Sequence, residues 1–497
     1  MGKKFIHTIR QKGTEYAYVY TPCRVKGKKD NKPEYLGRVI DKGKGIYQNG
    51  KRGRFKYDLE GGYSEIQETA AREEKLILNF GDAYSLNEAL KKERIYGIIC
   101  EIMPERIDTM MSILGFKLLG RASNRYAEEW WEGSYMRIIY PEAKMQSQRL
   151  SEFYSELGDE SVHREFFSKY LRLFGNKAGV LIDSTGMPND INFPLTAVNT
   201  HNGVTSNESR LLYVVDRKSR MPLFFRYNAG NIVDVATLRS TIAELEAFGV
   251  DVEYAIVDAG YYSENNVRSL YGDDDGKKPI PFLTRLGSNL KLYKNLAAEH
   301  ADDLSRAEYM LMQRDRLISV KRVEVDLFGH IGYAYVALDY ARRGDEIYKY
   351  AKSALSDNDI SRDDMDAAMR TKGLFILISS EEIDTTEVMP LYYTRQTIEQ
   401  VFDVSKNYTD LLPFRVHNES TFRGHLMLSF ISTIVFLYFN QLLKDTPFNA
   451  DGAFLLLSNQ KCKVFDDCIL PKEPSKKMND IYKILKIIPP FRIPILW

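Results

Sequence analysis

The stretch 177-KAGVLIDST-185 is an apolar run that ends on a charged residue, Asp183, and then turns polar. It is too short for an ordinary helix and carries the aliphatic residues of a buried strand, so its terminal carboxylate is not needed for packing. Downstream, 210-RLLYVVD-216 and 221-MPLFFRYNAG-230 flank the polar turn Arg217-Lys218-Ser219-Arg220 and read as an antiparallel hairpin. A helical pattern follows from about Val235 to Phe248. Then comes a second apolar strand, 252-VEYAIVDAG-260, with Asp258 near its end, a helix in 263-SENNVRSLYG-272 and a further strand in 280-IPFLTRL-286.

The order β-β-β-α-β-α-β predicts a mixed α/β fold with an RNase H-like core, its first part spanning 176–287. A segment at 288–385 interrupts that order with three strand-like runs, 318-ISVKRVEVDLF-328, 330-HIGYAYVAL-338 and 374-LFILISS-380. An Asp-rich stretch, 356-SDNDISRDDMD-366, lies between the last two, and the segment reads as a β-rich inserted subdomain. Helical signal resumes at about 389–407, within a second core part spanning 386–445. The run from Thr421 to Lys444, with 426-LMLSFISTIVFLYFNQLL-443 at its centre, is the one transmembrane candidate. Ser429, Ser432, Thr433, Asn440 and Gln441 interrupt it, which favours a buried core helix and no membrane partner. The tail, 446–497, is mixed in character and offers a surface for dimerisation.

At 497 residues, with 44% hydrophobic and 28% charged residues, the chain can bury several cores. Four cysteines (Cys23, Cys100, Cys462, Cys468) are too few for a disulfide framework, and Cys462 and Cys468 lack the neighbours of a zinc site. The opening MGKKFIHTIRQKG has no apolar segment of the signal-peptide kind. Together these features lead to the expectation of a reducing cytoplasm. Net charge is +1 overall, but residues 1–57 hold 16 Lys and Arg against the acids Glu15, Asp30, Glu34 and Asp41. Such asymmetry points to a polyanion-binding module on a near-neutral body. Its strand-like runs, 15-EYAYVYTPCRV-25 and 34-EYLGRVID-41, are broken by basic turns, making Lys26, Lys28, Lys29, Lys51, Arg52 and Arg54 candidate DNA contacts. Tyr16, Tyr18, Tyr20, Tyr35 and Tyr47 are expected mainly to serve this unit's small core. Residues 58–175 read as a helical region, for which packing and DNA contact are equally suitable roles.

Breaking or transferring a phosphodiester requires an activated oxygen, a stabilised leaving oxygen and neutralised phosphate charge. Two hard divalent ions held by carboxylates meet all three needs. Asp183 and Asp258 are suited to that task if their strands are neighbours. A third acid stands in 391-LYYTRQTIEQVFDVSK-406, where Tyr392, Arg395, Glu399 and Lys406 are offset by 3, 4 and 7 residues. On one continuous helix these four project within an arc of roughly 60°. Ile398, Val401, Phe402 and Ser405 supply the packing side. A carboxylate flanked by two cations and a phenol suits metal plus phosphate. The alternative is a solvated face with an ordinary Arg395–Glu399 ion pair.

The Tyr-x2-Arg-x3-Glu-x6-Lys pattern resembles the YREK signature of a large class of bacterial insertion-sequence transposases of the DDE type. 182-IDSTGM-187 and 257-VDAGYYSENN-266 are similar to that class's first two acid motifs. The intervals, 75 residues from Asp183 to Asp258 and 141 from Asp258 to Glu399, fit a β-rich insertion before the glutamate helix. 411-LLPFRVHNESTFRGHLMLSFIS-432 resembles the segment that follows the signature there. The resemblance covers about 176–445. It implies that Asp183, Asp258 and Glu399 coordinate two Mg²⁺ ions, with Mn²⁺ able to substitute. It also implies that Arg395 and Lys406 hold phosphates near the element's end, that Tyr392 contacts adjacent backbone, and that a homodimer synapses terminal inverted repeats before joining them to target DNA. One departure is that Trp130, Trp131 and Trp497 all lie outside the insertion, so the tryptophan on which some members stack a flipped base is missing.

Two other readings are a nuclease of the same fold without strand transfer, and a DNA-binding repressor or architectural protein whose site no longer works. Retention of all three acids with Arg395 and Lys406 argues against the last. The His7-x-x-Arg10 spacing stands far from any Arg-rich catalytic region, which excludes a tyrosine recombinase.

Overall fold

Period-two alternation builds the basic N-terminal unit. Its strands are β1 (Phe5–Gln11), β2 (Thr14–Val25), β3 (Lys28–Asp41), β4 (Ile46–Asn49), β5 (Gly53–Asp58) and β6 (Gly62–Glu65), in an antiparallel meander where each pairs with the next. The structure, a computed structural model, describes all residues except 1–2, 12–13, 26–27, 66–73, 190–192, 202–203, 233–236, 274–277, 356–360, 410, 413–415 and 496–497. The chain divides into two compact units: Met1–Leu76 with Val464–Cys468 and Pro494–Trp497, and Ile77–Lys463 with Ile469–Ile493.

In the first unit, Ala17, Val19, Leu36, Tyr47, Phe55 and Tyr57 form a buried cluster, with Ile6, Val39 and Tyr63 packed against it. The expected boundary at residue 57 falls inside this sheet. Tyr57 pairs with Tyr63 and Phe55 with Glu65, so β6 closes the meander beyond it. Of the five tyrosines expected in the core, only Tyr47 is there. Tyr16, Tyr18 and Tyr20 alternate with the buried Ala17 and Val19, so pleating sends them to the opposite face.

The second unit begins with β7 (Leu76–Asn79) and helices α1 (Gly81–Leu90), α2 (Arg94–Ile102), α3 (Ile107–Gly115), α4 (Ala127–Glu132), α5 (Met136–Ile139), α6 (Ser147–Leu157) and α7 (Glu160–Tyr170). The helical expectation therefore holds from residue 81 onward. The core follows as β8 (Lys177–Pro188), β9 (Ala197–His201), β10 (Val204–Asp216), β11 (Pro222–Ala229), α8 (Leu238–Ala247), β12 (Asp251–Val257), α9 (Glu264–Tyr271) and β13 (Phe282–Arg285). Strands β11, β10 and β8 pair antiparallel, whereas β8, β12 and β13 run parallel. This is the expected RNase H-like arrangement, with β9 added as a short partner of β10.

The segment expected as an inserted subdomain continues the same sheet instead of building its own. After α10 (Lys291–His300) come β14 (Met310–Gln313), β15 (Arg316–Leu327), β16 (His330–Asp339), α11 (Tyr340–Ala354), α12 (Arg362–Arg370) and β17 (Leu374–Ser379). β17 pairs with β13, and the ten-stranded sheet runs β11-β10-β8-β12-β13-β17-β16-β15-β14, with β9 the tenth strand, paired to β10 off this path. The physical reason is the edge. β13 is short and almost wholly buried, and its outer backbone groups need a partner that buried solvent-free surroundings cannot supply.

The chain then forms α13 (Thr385–Tyr393), α14 (Gln396–Asn407), α15 (Glu419–Leu442), α16 (Ala450–Leu457) and α17 (Lys476–Ile484). α15 is long and apolar enough to cross a membrane, yet 83% of its apolar span is buried inside the protein. Phe430 at its centre meets the rings of Phe166, Phe167, Tyr170, Tyr213 and Phe225, so α15 is the spine on which α7 and the sheet pack. Near its start, Gly424 lies against the backbone of Tyr154 in α6, where any Cβ would clash with the Tyr154 carbonyl. Cys462 and Cys468 are both buried.

Candidate active site

Parallel pairing of β8 with β12 sets Val257 opposite Ile182. The next residue on each chain is an aspartate, so Asp183 and Asp258 emerge side by side at one level of the sheet, about one strand spacing (~4.8 Å) apart. β12 ends just before Asp258, as the sequence pattern required, but β8 does not end at Asp183: it runs on to Pro188, because β10 continues to pair with it through Glu208. Asp183 is anchored locally: the Ser184 amide donates to its Oδ1 at 2.8 Å, while Arg210 donates to the Ser184 hydroxyl at 2.5 Å. The Thr284 hydroxyl, at the end of β13, donates to the Asp258 carbonyl at 3.2 Å.

The glutamate arrives on α14, whose packing face is the expected one. Ile398, Val401, Phe402 and Ser405 are buried, with Val404 beside them. Phe402 stacks on Tyr213 of β10 at 5.1 Å. The Ser405 hydroxyl lies 2.9 Å from that of Thr433 in α15 and 3.1 Å from that of Tyr213. Tyr213 is the register partner of Asp183. A buried hydroxyl cluster thus fixes the rotation of α14 relative to the strand that carries the first acid, and polar groups in so dry a place persist because each is bonded.

The four signature residues do not share one continuous helix. α13 ends at Tyr393 and α14 starts at Gln396, with Thr394 and Arg395 between them in i→i+3 hydrogen bonding. At the break the Thr394 hydroxyl donates back to the Leu391 carbonyl at 2.7 Å, a side-chain bond that competes with the helical ladder. Tyr392 therefore belongs to the preceding helix, and the tightened turn brings Arg395 inward.

Arg395 is the centre of the site. Its guanidinium donates to Asp258 Oδ1 at 2.5 Å and lies 3.2 Å from Glu399 Oε1 and 3.4 Å from Asp183 Oδ2. Its side chain is 16% exposed and that of Asp183 13%, whereas Glu399 is 59% exposed. Burial works against the arginine's charge, yet the fields of Asp183, Asp258, Tyr392 and Glu399 hold its pKa above the ordinary range. This is more than the i,i+4 pair that a solvated helix face would give. Burial pushes the Tyr392 phenol up to about 12, so it stays a neutral donor beside the acids. Lys406 turns toward β8, donating to the Thr185 hydroxyl at 2.6 Å and the Gly186 carbonyl at 3.2 Å. Burial lowers its pKa against the opposing field of Glu208.

Three carboxylates, one within β8, one just after β12 and one on α14, all facing a single positive charge, are the hard oxygen donors that a divalent ion such as Mg²⁺ prefers. Among the described residues no three such side chains stand close enough to share an ion, and the space between these three is taken by the guanidinium. The donor set suits a hard cation, provided that Arg395 moves aside. Sequence reasoning missed Arg285, which ends β13 and whose charge reaches Tyr392. Its signal was the polar Thr284-Arg285 pair closing an apolar strand, the same pattern that marked Asp183 and Asp258.

On the basic unit, the Asn49 side chain accepts from the amides of Lys51 and Arg52 and shapes the turn that presents them. Lys51, Arg52 and Arg54 are exposed, and Arg52 lies 4.0 Å above the Tyr63 ring. Lys28 and Lys29 stand at the far end of the β2–β3 hairpin, opposite Val25 and Arg24, with only their backbone described; Lys26 lies outside the described residues.

No curated protein matches the chain. Among solved structures it is similar to the piggyBac transposase synaptic complex with hairpin DNA, at 9% identity and a TM-score of 0.37, covering 76% of this chain and 70% of that one. The family model described as Transposase DDE domain matches residues 175–435, which include both strand aspartates, Arg395, Glu399 and Lys406. That match takes in more than half of the 497 residues, and the chain belongs to the DDE transposase family.

Proposed function

We propose that this protein is a cut-and-paste DNA transposase of the class with the Tyr-Arg-Glu-Lys signature, which nicks DNA at the ends of its element and joins the freed 3′-hydroxyls to target DNA. The observation that carries this reading is the convergence of Asp183, Asp258 and Glu399 on the one guanidinium of Arg395. Asp183, Asp258 and Glu399 would hold two Mg²⁺ ions, or Mn²⁺ in their place. When bound, such ions supply positive charge at the scissile phosphate and make the attacking oxygen more acidic.

The rest of the task falls to side chains. Arg395, with its planar fork of donors, turns from the carboxylates to a phosphate as DNA enters, exchanging one set of anionic oxygens for another. Lys406 offers a point charge on the β8 side, and Tyr392 a neutral hydroxyl for a backbone oxygen. In the first step a water oxygen bonds to phosphorus and the P–O3′ bond breaks, leaving a 3′-hydroxyl on the element. In the second, that hydroxyl bonds to a target phosphorus and the target's own 3′ oxygen departs. The basic unit, through Lys26, Lys28, Lys29, Lys51, Arg52 and Arg54, engages the terminal inverted repeats. A homodimer, with the 446–497 tail as a contact surface, pairs the two ends in the bacterial cytoplasm.

The test is to incubate the protein with Mg²⁺ and DNA carrying the inverted repeats that flank its gene, then map the products. Cleavage at the repeat ends together with molecules joined through new target phosphodiesters is the expected result. Cleavage without joining would identify a hydrolase built on the same site, and intact DNA would overturn the reading.

A further inference from the structure

The face of the N-terminal sheet opposite its core carries a stripe of rings across three strands. Register places Phe5 and His7 of β1 opposite Tyr20 and Tyr18 of β2, and Tyr18 opposite Tyr35 of β3. Residues paired directly across antiparallel strands point to the same side. The rings do meet: Phe5 and Tyr20 stack at 5.4 Å, while Tyr35 lies 5.2 Å from Tyr18 and 6.4 Å from Tyr16. Phe5 is 44% exposed and Tyr35 47%, so the stripe faces outward.

Cations continue that face toward β5. Arg38 pairs with Gln48, which pairs with Arg54, and Lys56 stands one alternation further along; all three cations are exposed. Asp58 comes next in that alternation, at the end of β5, where its carboxylate accepts from the Glu60 and Gly61 amides, while four other acids of the unit lie off the face. Glu15, Asp30 and Glu34 pair with Arg10, Cys23 and Val19, positions that alternate with the stripe, and Glu34 accepts from Tyr63 of the core side. Asp41 sits at a strand end, where it accepts from the Lys44 amide in the turn.

We propose that this aromatic and basic face binds single-stranded DNA, its rings stacking on unpaired bases and Arg38, Arg54 and Lys56 holding the backbone. Geometry favours unpaired over paired DNA. Six strands at ~4.8 Å spacing make a face roughly 24 Å wide, whereas the duplex major groove is about 12 Å across. A platform that wide cannot enter such a groove, and bases inside a duplex offer edges and not ring faces. Bases freed from pairing offer their π-faces to any aromatic side chain, whatever their identity. The occupant is thus a strand opened from its partner, as at an element end during cutting. This rests on the reading of the basic unit as DNA-binding.

The experiment uses the full chain with a short oligo(dT) carrying one 2-aminopurine, whose emission falls when it stacks, and a duplex of the same length as comparison. The wild type should bind the oligo(dT) and quench the probe. The double variant Tyr18→Ala with Tyr35→Ala should bind it about tenfold or more weakly and lose the quenching, while duplex affinity stays within about twofold. The corresponding Phe pair keeps the rings and should behave as wild type, which separates stacking from damage to the sheet. Unchanged oligo(dT) binding and quenching in the Ala pair would overturn the proposal, as would an equal loss for duplex. If binding of both DNAs is indifferent to neutralising Lys51, Arg52 and Arg54, the reading of the unit as DNA-binding fails instead, and the proposal fails with it.

Discussion

Replacing Asp183 or Asp258 by Asn, or Glu399 by Gln, is expected to lower DNA cleavage by at least about 10³-fold, since charge stabilisation of several kcal/mol at the phosphate depends on these ligands. The fold should survive. Glu399 is exposed, and at Asp183 and Asp258 an Asn keeps both the size and an oxygen acceptor for Arg395. The sheet beneath them is held by Val180, Leu181, Ile182, Ile256 and Val257, which the substitutions leave untouched. Circular dichroism and end binding should therefore stay near wild type while product formation disappears. A variant that cuts at the wild-type rate in Mg²⁺ would remove that residue from the site.

The second large effect belongs to the basic unit. Neutralising Lys51, Arg52 and Arg54 together should reduce the log–log slope of duplex affinity against salt by between about 2 and 3. Affinity near 0.1 M salt should fall by on the order of 10²–10³, as each lost phosphate contact releases fewer counterions. Lys51 and Arg52 sit on a turn shaped by Asn49, and all three side chains are exposed, so the sheet's buried cluster is not at risk. Cleavage of short substrates at saturating concentration should persist, because no acid of the site lies in this unit. An unchanged salt slope, measured by titration at several salt concentrations, would reduce the unit to a solvated surface.

Much of the core was legible because its strands carry short apolar runs that each give way to a polar residue, although β8 itself continues past Asp183 to Pro188. That pattern marks both where 177-KAGVLIDST-185 and 252-VEYAIVDAG-260 lie and which residue each presents. Their adjacency was not legible. It follows from parallel register, which only the long-range pairing of Ile182 with Val257 fixes. Helical spacing placed Glu399 and its packing face correctly, but extended one helix through Tyr392. The turn at Thr394–Arg395 is closed by i→i+3 backbone bonds and a hydroxyl back-bond, which residue offsets do not reveal. The segment 288–385 showed its strands but not their partner, as nothing local says that β17 pairs with β13. The N-terminal tyrosines misled for a related reason. Period-two alternation is symmetrical between faces, and Tyr16, Tyr18 and Tyr20 outweigh Ala17 and Val19 in bulk although the smaller residues line the core.

That Asp183, Asp258 and Glu399 act as ligands to a divalent ion is the centre of the account, and a metal switch at Asp258 tests it most directly. A thiolate in place of a carboxylate shifts a site's preference from hard Mg²⁺ toward softer ions. Asp258→Cys should be inactive in Mg²⁺ and regain part of its cleavage in Mn²⁺, with Asp258→Ala silent in both. If Asp258→Cys cuts DNA equally in the two metals, or if Asp258→Ala retains wild-type cleavage, Asp258 is not a metal ligand and the account is contradicted.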